Sequence, residues 1–185
     1  MKIVDADLPD CKIIEPKIHA DERGVFFESW NKSNWAKFGL DFDVVQSNVS
    51  VSERGVLRGL HYQWPHPQGK LVSVLEGEVY DVAVDIRRGS PTFGRSMAVL
   101  LSAENRREFW IPQGYAHGFV VLSERAIFHY LCTAPYVREA DRGLRWNDAC
   151  LAIDWPVSAP RLSDKDARLP FLDDIALDCL PEFSA

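Results

Sequence analysis

The chain has 185 residues, 46% hydrophobic and 11% aromatic, enough apolar material for one packed domain spanning 1–185. Its 21 Lys and Arg against 27 Asp and Glu give a net charge of -6, which excludes a protein that holds nucleic acid over its whole surface. Any polyanion site must be a local pocket. The start, Met1 to Asp7, carries charges where a signal peptide has an apolar run, and no later segment approaches a membrane span, so a soluble, cytoplasmic protein is expected. Cys11, Cys132, Cys150 and Cys179 are irregularly spaced without a Cys-x-x-Cys, which reads as reduced structural thiols.

In chain order, the first helical signal is a short one. Asn31 or Ser33 can cap it, Trp35 and Phe38 lie at i, i+3, and Gly39 stops it, which predicts a packed surface element. From Gly55 the pattern changes. The run Gly55-Val56-Leu57-Arg58-Gly59-Leu60-His61-Tyr62-Gln63 is answered downstream by Ile111 to Phe119, which contains Gly114 and His117. Both place cationic or imidazole groups on β-type segments, where burial without a partner costs several kcal/mol. Residues 58 and 61 do not share a face of a regular strand, so bringing Arg58 and His61 together requires a bulge at Gly59.

Lys70 to Leu75 and Val79 to Ile86 are β-branched, alternating runs joined by Glu76-Gly77-Glu78, a hairpin signal. In the second run Tyr80, Val82, Val84 and Ile86 share one face, expected to be core, and Asp81, Ala83 and Asp85 share the other, expected to be polar. Further strand candidates are Ser96 to Leu101, Glu108 to Ile111, His117 to Leu122 and Ala126 to Thr133. Many short strands with few helices predict an all-β sandwich or barrel.

The spacing Gly59-x-His61, then Glu76-Gly77, then Pro112-x-Gly114-x-x-His117 resembles the paired strand motifs of the cupin superfamily, which implies a jelly roll. Metal-binding cupins typically supply His-x-His and Glu from the first motif and His from the second. Here the first motif reads His61-Tyr62-Gln63, without the second imidazole, and His66 lies on a Pro65-His66-Pro67 turn. No metal is expected. The bland alternative for His61 and His117 is a pair of satisfied core histidines.

A narrower resemblance covers nearly the whole chain. Asp21 to Glu28, Gln46-Ser47-Asn48, Gly55 to Gln63, Gln68 to Val72, Gly77 to Asp85, Leu101 to Asn105, Trp110 to Phe119, Gly143 to Asp148 and Leu162 to Asp166 are similar, in order, to the dTDP-4-dehydrorhamnose 3,5-epimerases. That resemblance implies inversion of C3 and C5 of a dTDP-4-dehydro-6-deoxy-glucose without metal or organic cofactor. Each carbon is α to the C4 ketone, so its proton can leave to a base if the enolate oxygen is stabilised. The family's base corresponds to His61, its carboxylate partner to Asp166, its proton donor on the opposite face to Tyr130, and its lysine near the C4 oxygen to Lys70.

For binding, the resemblance implies Arg58 and His117 around the diphosphate, Gln46, Ser47 and Asn48 in the same region, and Tyr136 stacked on thymine. Asp141 and Lys165 match further substrate contacts. Arg23 and Glu28 match an N-terminal segment that reaches the neighbouring subunit's site, implying a homodimer with exchanged strands.

Each role has a competitor. Ser163-x-x-Asp166 is also a capping box, with Asp164 the alternative carboxylate. Tyr130 could be a core tyrosine, Arg23-Gly24 a turn, and Lys70 an edge lysine. The chain also departs from the family's pattern: Ser47 replaces a usual aspartate, Asp141 a glutamate, and Leu131-Cys132 a Lys-Thr pair. Three readings stand at this stage: the 3,5-epimerase, whose product feeds rhamnose-containing surface polysaccharide; a 3-epimerase on a related 4-keto sugar; and a non-catalytic or metal-binding cupin.

Overall fold

The computed structural model describes residues 1–183. Its strands are β1 (Lys2–Asp5), β2 (Lys12–Glu15), β3 (His19–Asp21), β4 (Gly24–Phe26), β5 (Gln46–Glu53), β6 (Leu57–Gln63), β7 (Lys70–Glu76), β8 (Glu78–Asp85), β9 (Ser96–Ser102), β10 (Glu108–Ile111), β11 (Tyr115–Val121), β12 (Arg125–Cys132) and β13 (Asp141–Gly143). They form a six-stranded sheet ordered β1-β2-β10-β7-β12-β5, a five-stranded sheet ordered β13-β6-β11-β8-β9, and a separate β3-β4 ribbon. The pairings between these strands are all antiparallel, and the isolated bridges Val56–Arg161 and Arg88–Glu182 are parallel. The two sheets enclose one apolar interior, containing among others Val72, Val79, Phe109, Phe119 and Phe128, as a jelly roll requires.

The Glu76-Gly77-Glu78 turn does not make the expected hairpin. β7 lies between β10 and β12 in one sheet, and β8 between β11 and β9 in the other, so Gly77 carries the chain across the barrel. Its φ is +79, and a Cβ there would lie 2.1 Å from the Arg125 carbonyl oxygen, so the crossing needs glycine. Both faces of β8 are buried, the expected core face and the expected polar face alike. Val82, Val84 and Ile86 pack outward against Leu144, Leu151, Leu172 and Leu180, which cover that sheet. Asp81 and Asp85, on the other face, are fully buried.

The expected helix is present as α1 (Lys32–Ala36), capped by Asn31, whose side chain accepts from the Asn34 amide. Gly39, at φ +80, follows it. Trp35 is fully buried against the six-stranded sheet in a cluster with Ile14, Leu40, Leu71 and Trp110, whereas Phe38 is exposed, contrary to the expected packing. Burial of each such large side chain contributes about 1.5–3 kcal/mol. Phe42 stacks on Trp110 with centroids 4.0 Å apart. No helix of the described residues is long and apolar enough to cross a membrane.

Candidate active site

A cavity of about 500 Å³ opens between the sheets, with Arg58, His61 and His117 on one wall and Lys70, Phe128 and Tyr130 on the other. A recess of about 150 Å³ adjoins it, sharing His61, Lys70, Tyr130 and Lys165 and adding Gln46, Asn48, Tyr136 and Asp141.

The bulge foreseen at Gly59 is what puts Arg58 and His61 in one cavity. His117 pairs with His61 and Phe119 with Arg58, so β6 holds one more residue than β11 over that interval. At the bulge two backbones meet, because a Cβ on Gly59 would lie 2.5 Å from Gly118 Cα and one on Gly118 would lie 2.7 Å from the Arg58 carbonyl. Both motif glycines are therefore required by close approach.

His61 Nε2 lies 2.7 Å from Asp166 Oδ1. Burial works to raise the Asp166 carboxyl, but the His61 hydrogen bond and charge, with Ser163 and the Gly59 amide, outweigh it and hold the group below the usual carboxylate range. An ionised carboxylate only accepts, so His61 carries its proton on Nε2 and leaves Nδ1 as the basic nitrogen. The capping alternative is half present, since Ser163 Oγ accepts from the Asp166 amide at 3.1 Å. The carboxylate itself goes to His61. Asp164 is exposed and pairs with Arg168 instead.

Across the cavity, Tyr130 projects from β12. Burial, aided by Cys132 and opposed by Arg58, pushes its phenol above the ordinary value, which favours the protonated form. Burial lowers the Lys70 ammonium while Cys132, Asp81 and Asp141 act to raise it, and its Nζ is 3.4 Å from the His61 carbonyl. Lys70 is thus a lining residue rather than an exposed edge lysine.

In the recess, the Tyr136 hydroxyl donates to Asp141 at 2.9 Å, and Lys165 pairs with the same carboxylate. Gln46 donates to Asn48 at 3.0 Å. Ser47 does not join them. The alternation of β5 sends it to the outer, exposed face, where its hydroxyl lies 3.0 Å from His129 Nε2. His117 lines the cavity, but its Nε2 is committed to Asp81 at 2.9 Å. Arg23 pairs with Asp21 at 2.6 Å, and Glu28 accepts from Asn31 and Asn34, both at 2.9 Å. Neither borders the chain's own cavity.

The sequence reading passed over Asp81, Ser163, Gln63 and Gln68 as site residues. Asp81 left a signal, one carboxylate inside a strand of otherwise apolar neighbours from Val79 to Val84. Among the described residues no group of three or more His, Cys, Asp or Glu side chains converges as an ion would need, and His66 is exposed on its turn.

A family model described as dTDP-4-dehydrorhamnose 3,5-epimerase matches residues 5–174. A relative from Shigella flexneri bearing that name is 52% identical over 168 residues, covering 90% of this chain and 93% of its own. The solved dTDP-6-deoxy-D-glucose-3,5-epimerase of Legionella pneumophila Philadelphia 1, in complex with dTDP-4-keto-L-rhamnose, matches with TM-score 0.97 and 52% identity, covering 100% of this chain and 99% of that one. A more distant structure, a 3'-monoepimerase from Streptomyces bikiniensis in complex with dTDP-quinovose, matches with TM-score 0.90 and 37% identity over 96% and 91% of the two chains.

Proposed function

The chain belongs to the dTDP-4-dehydrorhamnose 3,5-epimerase family, and from that premise we propose how its side chains carry the reaction. It is an isomerase that inverts C3 and C5 of dTDP-4-dehydro-6-deoxy-α-D-glucose to give dTDP-4-dehydro-β-L-rhamnose. The observation that carries the residue assignment is the placement of His61, bonded to Asp166 of a short 3-10 turn, on one sheet and Tyr130 on the sheet facing it.

His61 Nδ1 takes the proton α to the ketone, and Asp166 stabilises the resulting imidazolium. The C–H electron pair moves into the enolate, whose oxygen at C4 gains charge beside Lys70, an interaction stronger in the transition state than with the ketone. Tyr130 then delivers a proton to the same carbon from the opposite face, inverting it. Solvent exchange returns the proton from His61 and restores the phenol before the second carbon reacts. Every step is a proton transfer, and none asks for a metal or organic cofactor.

Arg58 and Lys165 supply cations for the diphosphate, with a guanidinium suited to paired phosphate oxygens. Tyr136 offers its exposed ring to thymine, beside Gln46, Asn48 and Asp141. His117 lies deeper, backing the cavity wall. The β3-β4 ribbon stands apart from both sheets and exposes Val25 and 72% of Phe26 beside Arg23 and Glu28. Seating it on a second copy's cavity would cover this apolar surface and add a cation there, which supports a homodimer with exchanged ribbons. Four free cysteines accord with a reducing, cytoplasmic setting.

The test is proton NMR in deuterated water with dTDP-4-dehydro-6-deoxy-glucose and a reductase to trap product. Exchange and inversion at both carbons are expected. Inversion at C3 alone would move the enzyme to the monoepimerases, and absence of exchange would leave a binding cupin. Tyr130→Phe should lose inversion by roughly 100-fold, the lower end of general acid catalysis, while retaining more of the exchange. Equal loss of both would remove the assigned acid.

A further inference from the structure

Gln63, the third residue of the His61-Tyr62-Gln63 run, has no part in the chemistry above, yet it is only 5% exposed and its amide is engaged at both ends. Its Oε1 accepts from the Val137 amide at 2.7 Å, and its Nε2 donates to the Pro135 carbonyl at 3.1 Å and to the His66 carbonyl. The residue between these two anchor points is Tyr136. The Tyr136 amide in turn donates to Gln46 Oε1 at 2.7 Å, and Gln68 Nε2 donates to the Ala134 carbonyl at 2.7 Å. Consecutive backbone groups of the 134–137 segment are thus taken by glutamine side chains from three separate parts of the chain. Gln63 also pairs in register with Asp141, the acceptor of the Tyr136 hydroxyl.

The task at position 63 needs an acceptor for one amide and two donors for two carbonyls. A glutamine amide supplies both; a carboxylate lacks the donors, and a neutral imidazole has a single N–H. The glutamine that stands in place of a second cupin imidazole therefore has its own use. We propose that Gln63 is a positioning residue for nucleotide recognition: by fixing the backbone on both sides of Tyr136, it presents that ring to the base. The proposal rests on the reading that Tyr136 meets the nucleotide base. Ordering the segment before binding spares the ligand that conformational cost.

The test is a double-mutant cycle with Gln63→Met, which keeps length and removes all three hydrogen bonds, and Tyr136→Ala. The dTDP dissociation constant, KM and kcat are measured for each protein. Gln63→Met is expected to raise KM and the dTDP dissociation constant about tenfold, the scale of one or two net hydrogen bonds, with kcat within about twofold. In the Tyr136→Ala background it should add nothing further. An unchanged KM, a fall in kcat alone, or an equal weakening in the Tyr136→Ala background would overturn the proposal. If Tyr136→Ala itself binds dTDP as tightly as the parent, the base-contact reading fails and the proposal falls with it; if it binds weakly while Gln63→Met does not, only the clamp fails. Should Gln63→Met not fold, Gln63→Glu keeps the acceptor for Val137 and loses both donors. It should raise KM at least as much, because a carboxylate oxygen then faces the Pro135 and His66 carbonyl oxygens, and an unchanged KM would again overturn the proposal.

Discussion

His61 on β6 and His117 on β11 are register partners, and each is bonded through Nε2 to a buried carboxylate, Asp166 at 2.7 Å and Asp81 at 2.9 Å. The His61 side chain is 32% exposed to the cavity, that of His117 only 8%. Burial raises the Asp81 carboxyl, and the hydrogen bond and charge of His117 do not offset it; burial likewise lowers the His117 imidazole against the opposing pull of Asp81. Asp166, by contrast, has a second set of donors in Ser163 and the Gly59 amide and sits below the usual range. The same two functional groups at nearly the same separation thus give one pair whose carboxylate is held ionised and one driven toward its uncharged forms. What separates them is the supply of further hydrogen bonds to the carboxylate and access to the cavity.

The largest effect should come from exchanging the imidazoles one at a time. His61→Asn is expected to lower kcat by roughly 1000-fold, within the range of general base catalysis, with dTDP affinity within about threefold. His117→Leu should cost kcat no more than about tenfold while lowering stability by about 1–3 kcal/mol, because Asp81 is left without its partner. Turnover assays with thermal melts check both. Equal losses of kcat would erase the distinction.

Asp166→Asn sharpens it. The amide cannot stabilise the imidazolium, so kcat should fall by roughly 100-fold with KM little changed. A carboxyl lowered in the folded state stabilises the fold above its unfolded value of about 3.9 and loses that contribution as pH falls through the folded value. The melting-temperature gap between parent and variant should therefore be full near neutrality and close as pH drops below about 4. A gap independent of pH would mean that Asp166 acts by packing alone.

Much of this was legible from local pattern. Period-two alternation set the strands, and the mismatch of positions 58 and 61 required the bulge that the register of β6 and β11 contains. The same rule, applied to β5, would have kept Gln46 and Asn48 and sent Ser47 outward; the resemblance carried all three together. One expectation failed and another fell short, each for a physical reason. A glycine turn between alternating strands looks alike whether the chain folds back within a sheet or crosses to the facing one, so Gly77 read as a hairpin. A polar face also normally means solvent, and only a cavity inside the barrel lets Asp81 point inward. The pairing of His61 with Asp166 spans 105 residues, which no local pattern could join.

Glu108 takes the comparison of carboxylates to its limit. It lies on β10 between Ile14 of β2 and Ser73 of β7, is 3% exposed, and its Oε2 has no hydrogen-bond partner among the described residues. With nothing to offset burial, its carboxyl is pushed up to about 9. The folded protein therefore holds a proton there that the unfolded chain releases near its ordinary value, so stability declines as pH rises between the two, by up to roughly 1.4 kcal/mol per pH unit. Glu108→Gln removes that proton from the balance. Its melting temperature should gain on the parent steadily from mildly acidic to alkaline pH, with kcat unchanged because Glu108 borders neither cavity nor recess. A constant difference across that range would show that Glu108 has an undescribed partner in the folded protein, and that lack of hydrogen bonds is not what separates it from Asp166.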